Sequence, residues 1–226
     1  MTMSETTMTD AQAAATPDTA VAPAPQTPRR VLHVGCGPAR KRDMVPAFHG
    51  DDWVEVRCDI DASAEPDIVA NMMDLGVIES GTYDAVYSSH NIEHVFPHEV
   101  PIVLREFSRV LKHDGVLVIT CPDVQSLGAA LSEGRLVEPL YQSPAGPISA
   151  IDILWGHRAA IAAGKVYMAH KCGFTAQVLV NTLVQSGFQR ATCIQQPEAF
   201  ALWAVATKAE LDEAALEAAR RAFLGA

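Results

Sequence analysis

The chain has 226 residues, with 17 Lys and Arg side chains against 27 Asp and Glu, so its formal net charge is −10. This length predicts one domain, and a hydrophobic content of 49% is enough to build a buried core. The acidic balance disfavours a nucleic-acid partner, because that affinity depends on clustered basic side chains. No apolar run is long enough to cross a bilayer and no signal peptide is recognisable, so we expect a cytoplasmic protein without a membrane partner.

The N-terminal segment differs in composition from the rest of the chain. Residues 1–28 are rich in Thr, Ala and Pro and contain neither an aromatic residue nor hydrophobic periodicity. Such a segment cannot bury enough apolar surface to fold. We therefore predict a disordered tail over residues 1–29 and a single folded domain over residues 30–226.

From Val31 onward, short apolar runs alternate with turns and helical stretches. This alternation is typical of α/β proteins with a mostly parallel sheet. Strands are predicted at residues 31–34, 53–58, 67–70, 84–88 and 116–121.

Residues 99–111 carry apolar side chains at helical spacing, which predicts a crossover helix with one buried stripe. Residues 112–115 are predicted to end this helix, because Gly115 tolerates the left-handed backbone of a C-cap. The C-terminal part is predicted to contain a helix at 175–186, a β-hairpin of strands 188–195 and 199–207, and a helix at 210–223.

Residues of about 124–172 interrupt the alternation of strands and helices. They are rich in Gly and Pro and carry several aromatic and imidazole side chains. An insertion of this length in a compact domain is usually a lid or a binding loop. Because it follows the fifth strand, at the edge where open α/β sheets bind ligands, we predict a lid-like insertion over the ligand site.

The first predicted strand leads directly into Gly35, Cys36 and Gly37, and the second ends at Asp59 about 20 residues later. Glycines at such a turn let a ligand approach the backbone closely. An acid at this spacing meets ribose hydroxyls in dinucleotide-binding folds. Together, the two signals predict a site for a nucleotide-like cofactor.

Six segments in chain order match the motifs of one family: residues 33–37, 58–61, 71–75, 83–94, 107–115 and 118–123. On these segments the chain resembles the class I S-adenosylmethionine-dependent methyltransferases. The resemblance spans residues 31–123, and residues 172–207 agree more loosely with the family's last helix and hairpin. It implies a Rossmann-like, doubly wound α/β fold, with a mostly parallel seven-stranded sheet and an antiparallel C-terminal hairpin.

The resemblance implies S-adenosylmethionine as cofactor and S-adenosylhomocysteine as its product. Gly35, Cys36 and Gly37 would line the methionine portion of the cofactor. His33 stands where many family members carry an acidic residue that holds the cofactor amino group. The third glycine of the usual turn is replaced by Ala39.

The resemblance also assigns the rest of the cofactor. Asp59 would accept both ribose hydroxyls, and Asp74 would bind the adenine amino group. Met73 or Ile60 would pack on the adenine faces. His90, at the end of the fourth strand, would lie near the sulfonium methyl group.

The expected reaction is direct methyl transfer to a nucleophilic atom of a small-molecule acceptor, in which the protein mainly aligns the acceptor and excludes water. An alcohol or phenol acceptor would need a general base, for which the candidates are His90, His94, His157 and His170. Candidates for binding the acceptor are Glu93, Tyr141, Trp155 and Arg158, with Arg158 as a fork for a carboxylate.

His90, Glu93 and His94 also spell H-x-x-E-H, an inverted zinc-protease motif. A zinc site of that kind needs the pair on a continuous helix with a third ligand, whereas this segment leaves a strand and meets Pro97. We therefore expect no metal. Glu93 and His94 either hydrogen-bond to neighbouring loops or take part in catalysis.

Two other functions stay open at this stage. A catalytically silent cofactor-binding or partner protein with the same fold would explain the altered glycine turn, while the insertion favours an acceptor pocket. An NAD-dependent oxidoreductase would share the glycine turn and the acid, but the chain lacks a full G-x-G-x-x-G. We expect a monomer or a homodimer.

Overall fold

The computed structural model describes residues 27–143 and 145–225, so residues 1–26 of the predicted tail lie outside the described residues. The strands are β1 (Arg29–Val34), β2 (Trp53–Asp59), β3 (Ile68–Val69), β4 (Tyr83–Ser89), β5 (Leu111–Pro122), β6 (Pro139–Ser143), β7 (Gly146–Ser149), β8 (Arg190–Gln196) and β9 (Ala201–Thr207). The α-helices are α1 (Val100–Val110), α2 (Leu127–Ser132), α3 (Ala150–Trp155), α4 (Arg158–Ala162), α5 (Ala176–Gln185) and α6 (Glu213–Leu224).

Seven of these strands form one sheet in the order β3-β2-β1-β4-β5-β9-β8. β1 pairs in parallel with both β2 and β4, and β4 pairs in parallel with β5. β9 runs antiparallel to β5 and to β8, which closes the sheet with a hairpin. The predicted fold class, a mostly parallel seven-stranded sheet with an antiparallel C-terminal hairpin, is confirmed.

Helices and short 3-10 turns cover the two faces of the sheet. On one face, Leu104 and Phe107 of α1 and Leu179 of α5 are fully buried in the larger core cluster. On the other face, the β1–β2 crossover contains 3-10 turns, and Phe48 of the second turn packs against Phe223 of α6 with ring centroids 5.3 Å apart. The C-terminal helix therefore helps to cover the face that this crossover shields only with short turns.

The junction between α1 and β5 differs from the prediction. The helix ends at Val110, and its C-cap residue Leu111 has an extended backbone that already belongs to β5. Between two aligned pairs, β4 advances from Tyr83 to Ala85 while β5 advances from Leu111 to Val116. Residues 112–115 therefore form a bulge, and Gly115 lies within the strand instead of capping the helix.

The insertion after β5 contains α2, the β6–β7 hairpin, α3 and α4, with a small core of its own. Leu127 and Ala150 are fully buried in that core, whereas Trp155 is 56% exposed. Within the described part of the chain, no helix has the length and apolar character needed to cross a membrane.

Candidate active site

A cavity of about 620 Å³ opens at the carboxyl ends of the parallel strands. Its wall includes residues 35–37 after β1, Asp59 at the end of β2, residues 71–73 after β3 and His90 after β4. The sheet extends from β1 towards β2 on one side and towards β4 on the other. The cavity therefore lies at the topological switch point, where open α/β sheets bind ligands.

The glycine turn after β1 has two positions that need glycine for different reasons. Gly35 has φ +65°, and a Cβ atom there would overlap the side-chain amide of Asn91. That amide donates hydrogen bonds to the carbonyls of Val34 (3.1 Å) and Ser89 (2.9 Å), so it ties β1 to β4. Gly37 has φ +47°, and among the described residues no atom lies within 4 Å of a Cβ built there. Because Gly37 lines the cavity, this free space is available to a ligand.

Asp59 fixes the glycine turn from the neighbouring strand. Its Oδ2 accepts a hydrogen bond from the Gly37 amide at 2.7 Å, and its Oδ1 accepts one from the Asp61 amide at 2.8 Å. Each carboxylate oxygen has a second lone pair, so Asp59 keeps the capacity to accept hydrogen bonds from a ligand in the cavity.

Arg57 holds the loops around the turn, and sequence reasoning missed it. Its buried guanidinium donates hydrogen bonds to the carbonyls of Gly37, Ala39, Ala64 and Glu65. One side chain therefore connects the glycine turn with the loop that follows β2. A single arginine inside a strand carries no motif, so its neighbours are visible only in the fold.

The loop after β3 presents different residues to the cavity from those expected. Asn71, Met72 and Met73 line the wall, as does the half-exposed Ile60 from the loop after β2. Asp74 lies outside the wall, and its Oδ1 accepts a hydrogen bond from the Gly76 amide at 3.0 Å. Asn71 was missed because the prediction favoured the carboxylate three positions later.

His33 lies outside the cavity wall, on the opposite face of the sheet. Its Nδ1 is 2.7 Å from Oε1 of Glu55, and its ring meets the Tyr87 ring edge-on at 5.2 Å. Burial lowers the pKa of His33, and the contact with Glu55 opposes this effect. The imidazole is therefore part of the packing beneath the glycine turn.

The insertion supplies one wall of the cavity through Lys165, Tyr167 and Met168. The Tyr167 hydroxyl donates to Oδ2 of Asp61 at 2.6 Å, and the Lys165 ammonium lies 3.3 Å from the same oxygen. Hydrogen bonds from Ser63 and Tyr167 lower the pKa of Asp61, so its carboxylate stays ionised. Asp61 therefore joins the insertion to the loop after β2 across the cavity.

On the other side of the cavity, the fold brings together four predicted residues. His90 and His94 line the wall, and Glu93 and His170 lie directly behind it. Nδ1 of His90 is 3.4 Å from Oε1 of Glu93, and Nε2 of His170 is 4.0 Å from the same oxygen. The rings of His94 and His170 meet edge-on with centroids 4.9 Å apart. One carboxylate is therefore surrounded by three imidazoles.

Burial and charge act in opposite directions on this cluster. Burial raises the pKa of Glu93, but the three neighbouring histidines outweigh it, so its pKa lies below the usual value. Burial lowers the pKa of His90, but Glu93 outweighs this effect and raises it. For His170, burial dominates and lowers the pKa. His90 also has a left-handed backbone, with φ +52°, which is uncommon for a residue with a side chain.

The remaining predicted acceptor residues lie away from the cavity. Nε of Arg158 is 2.7 Å from Oδ1 of Asp152, so its guanidinium already holds a carboxylate of the insertion. Tyr141 stacks on Phe200 with ring centroids 6.3 Å apart. Neither His157 nor Trp155 contributes to the cavity wall.

Comparison with known proteins agrees with this architecture. Residues 32–119 match the family model of a methyltransferase domain. Among curated proteins, none matches the sequence. A SAM-dependent methyltransferase from Methanosarcina mazei has a similar structure at 17% identity, with a TM-score of 0.53 over 82% of this chain and 95% of that one. One from Archaeoglobus fulgidus is similar at 15% identity, with a TM-score of 0.50 over 79% and 86%.

The CMeT domain of the citrinin polyketide synthase is also similar, at 16% identity and a TM-score of 0.52 over 81% of this chain. The chain spans about half of that structure, 47% of its length. At these identities the likeness is one of fold. The fold and the cavity define a Rossmann-like protein with a cavity at the switch point. Together with the family match, they confirm the resemblance to the class I S-adenosylmethionine-dependent methyltransferases.

Proposed function

We propose that this protein binds S-adenosylmethionine in the cavity and transfers its methyl group to a small-molecule acceptor. The observation that carries the proposal is the glycine turn, because Gly37 leaves open space at the cavity wall with the Asp59 carboxylate directly behind it. These features fit a cofactor that combines an extended polar chain with a ribose. A cavity of about 620 Å³ is within the usual size for a small-molecule site.

In the proposed complex, Asp59 accepts hydrogen bonds from the ribose hydroxyls. Asn71 lies beside the adenine amino group in place of Asp74, which the resemblance implied, because Asn71 lines the cavity and Asp74 does not. Ile60 and Met73 supply apolar surface for the two faces of the base. Both are in the cavity wall, and Ile60 is 54% exposed, so its side chain is free to cover a ligand.

The methionine portion lies along residues 35–37, whose backbone a ligand can approach closely. His33 is left out of the proposed site because it faces Glu55 on the other side of β1. The cofactor amino group is therefore bound by groups in the wall of the cavity and not by the side chain at position 33.

The acceptor lies on the side of His90, His94 and Lys171. When bound, the cofactor supplies an electrophilic methyl group on its sulfonium. The protein aligns the acceptor with that methyl group, and Tyr167 and Met168 of the insertion exclude water. Lys171 gives this side a positive charge that favours an anionic acceptor. Of the four histidines considered as general bases, His90 and His94 line the cavity and are placed to meet an acceptor.

Calorimetric titration with S-adenosylmethionine, S-adenosylhomocysteine and NAD tests the proposal, with the native chain and the Asp59→Ala variant. We expect micromolar binding of the first two compounds by the native chain and a loss of at least tenfold in Asp59→Ala. Asp114→Ala, which removes an exposed acid far from the cavity, is the matched control and should bind as the native chain does. Native binding of NAD alone, or equal binding by Asp59→Ala, would overturn the proposal.

A further inference from the structure

Glu93 is a buried carboxylate without a hydrogen-bond partner among the described residues, and Nδ1 of His90 lies 3.4 Å from its Oε1. Its side chain is fully buried, and neither oxygen has a hydrogen-bond partner among the described residues. An ionised carboxylate in such a place is strongly destabilising unless a cation compensates it. His90 is one source of that positive charge, and the two oxygens of Glu93, which accept no hydrogen bond, are also available to bind a metal ion.

Two of the three histidines around Glu93, His94 and His170, are held through Nδ1. Nδ1 of His170 lies 2.8 Å from the Ile153 carbonyl, and Nδ1 of His94 lies 3.3 Å from the Ala169 carbonyl. A carbonyl oxygen only accepts, so Nδ1 carries the hydrogen in both rings. Each neutral ring is then left with a lone pair on Nε2. This is the arrangement of a metal-binding histidine, whose other nitrogen donates to a backbone carbonyl.

The Nε2 atoms of His94 and His170 and the oxygens of Glu93 together fit a metal ion. In the neutral rings, the Nε2 lone pairs and the Glu93 oxygens are all acceptors, so they cannot satisfy one another. One donor atom from each of Glu93, His94 and His170 lies within 4.8 Å of the others. Donors bound to one zinc ion at about 2.1 Å would be about 3.4 Å apart, so the side chains need to move by little more than an ångström.

We propose that Glu93, His94 and His170 bind a divalent transition metal of the zinc class. Two imidazoles and one carboxylate form the ligand set of several zinc sites that keep an open position. Among the common divalent metals, imidazole nitrogen favours zinc, copper, nickel and iron over magnesium and calcium. His94 also lines the cavity, so the proposed metal site borders its acceptor side.

The third ligand is the feature that the sequence motif lacked. H-x-x-E-H supplies Glu93 and His94 from the 3-10 turn after β4, whereas His170 comes from the far end of the insertion. The backbone holds the two segments together, because the amide of Lys171 donates to the Glu93 carbonyl at 2.7 Å. The site is therefore built by the fold and does not need the motif to lie on one continuous helix.

The test uses the untagged full chain, stripped of metal with a chelator and then dialysed. Zn²⁺ is titrated against it in competition with a chromophoric chelator, and Co²⁺ is added separately to record its visible absorption. We expect one tight equivalent of Zn²⁺ per chain. The variants Glu93→Gln and His170→Asn should weaken it at least 100-fold. Asn at position 170 keeps a donor for the Ile153 carbonyl while it removes Nε2.

Two controls separate this site from other metal-binding groups. His113→Asn alters an exposed histidine outside the cluster, and Cys172→Ser removes the half-buried thiol near Glu93. Both should bind Zn²⁺ as the native chain does. If the native chain binds no Zn²⁺, or if Glu93→Gln binds it as tightly as the native chain, the proposal is wrong. Glu93 is then compensated by a protonated imidazole instead.

Thermal unfolding gives a second measurement that does not depend on the first. Glu93→Gln removes an unpaired buried charge, so the metal-free variant should be at least as stable as the metal-free native chain. Added Zn²⁺ should raise the melting temperature of the native chain but not that of the variant, because only a folded site binds the ion. A loss of stability in Glu93→Gln without added metal, together with no response of the native chain to Zn²⁺, would contradict the proposal.

The proposed metal site and the proposed cofactor site can be tested independently, because different substitutions should abolish the binding of Zn²⁺ and of S-adenosylmethionine. Among the described residues, neither a hydrogen bond nor an ion pair joins Glu93, His94 or His170 to residues 35–37, so Asp59→Ala should still bind Zn²⁺. Conversely, His170→Asn should still bind S-adenosylmethionine. Loss of both ligands in either variant would indicate a general disturbance of the fold.

Discussion

The open space beside Gly37 gives the sharpest test of where the cofactor binds. In Gly37→Ala the new methyl group meets no described atom within 4 Å, so the free protein should fold. The left-handed backbone, with φ +47°, costs about 1–2 kcal/mol for a residue with a Cβ. For a domain of this size that corresponds to a fall in melting temperature of roughly 2–8 °C. The methyl group occupies the space through which the ligand approaches the turn.

We therefore expect Gly37→Ala to bind S-adenosylmethionine at least tenfold more weakly, a loss of about 1.4 kcal/mol, in calorimetric titration. Gly81→Ala is the matched control, since Gly81 has φ +69° and equally open space around its Cβ but lies in the turn before β4. It should lose similar stability and keep native affinity. The reasoning is refuted if Gly37→Ala binds as the native chain does, or if Gly81→Ala loses the same affinity.

Two further substitutions test how the site and the insertion are held. Arg57→Met leaves four backbone carbonyls without their donor, so its free energy of unfolding, measured in urea, should fall by about 3 kcal/mol. Arg105→Met replaces an exposed arginine and should leave the free energy of unfolding almost unchanged. Burial raises the pKa of Asp152, but Arg158 and backbone amides outweigh it and bring it to about 2. Because the pKa of Asp152 is lower in the folded chain than in the unfolded chain, its carboxylate stabilises the folded state. This contribution to the free energy of unfolding is complete above the usual pKa of 3.8 and is lost as the pH falls towards 2. Asp152→Asn should therefore lower the free energy of unfolding by about 1–2 kcal/mol at pH 7, after allowing for the half-exposed Arg158, and by almost nothing at pH 2. An equal loss of stability at both pH values would contradict this reasoning.

The central strands could be predicted because they are apolar, whereas the seven-stranded, doubly wound arrangement was implied by the family resemblance. The beginning of the first strand could not be predicted in this way. Residues 31–34 are buried and were predicted, but β1 begins at Arg29, whose backbone aligns with Trp53 of β2. A polar residue at the entry of a strand carries no hydrophobic signal, so the pairing of its backbone is decided by the neighbouring strand.

On the proposed cofactor side of the cavity, the main residues could be predicted from the sequence, but the choice between neighbouring polar residues could not. Gly35, Gly37 and Asp59 each follow directly from a strand end, so local pattern and sheet geometry place them together. Asn71 and Asp74 lie in one short loop after β3, and spacing alone does not decide which of them faces the cavity. The fold decides it, because the Asp74 carboxylate instead accepts a hydrogen bond from Gly76.

The acceptor side could not be predicted because it depends on where the insertion returns to the sheet. Within seven residues, Lys165 and Tyr167 meet Asp61 on one side of the cavity, and His170 and Lys171 meet Glu93 on the other. The same short segment therefore completes both the wall over the proposed cofactor and the cluster around the buried carboxylate. Because both contacts depend on where this segment returns to the sheet, neither follows from a local sequence pattern.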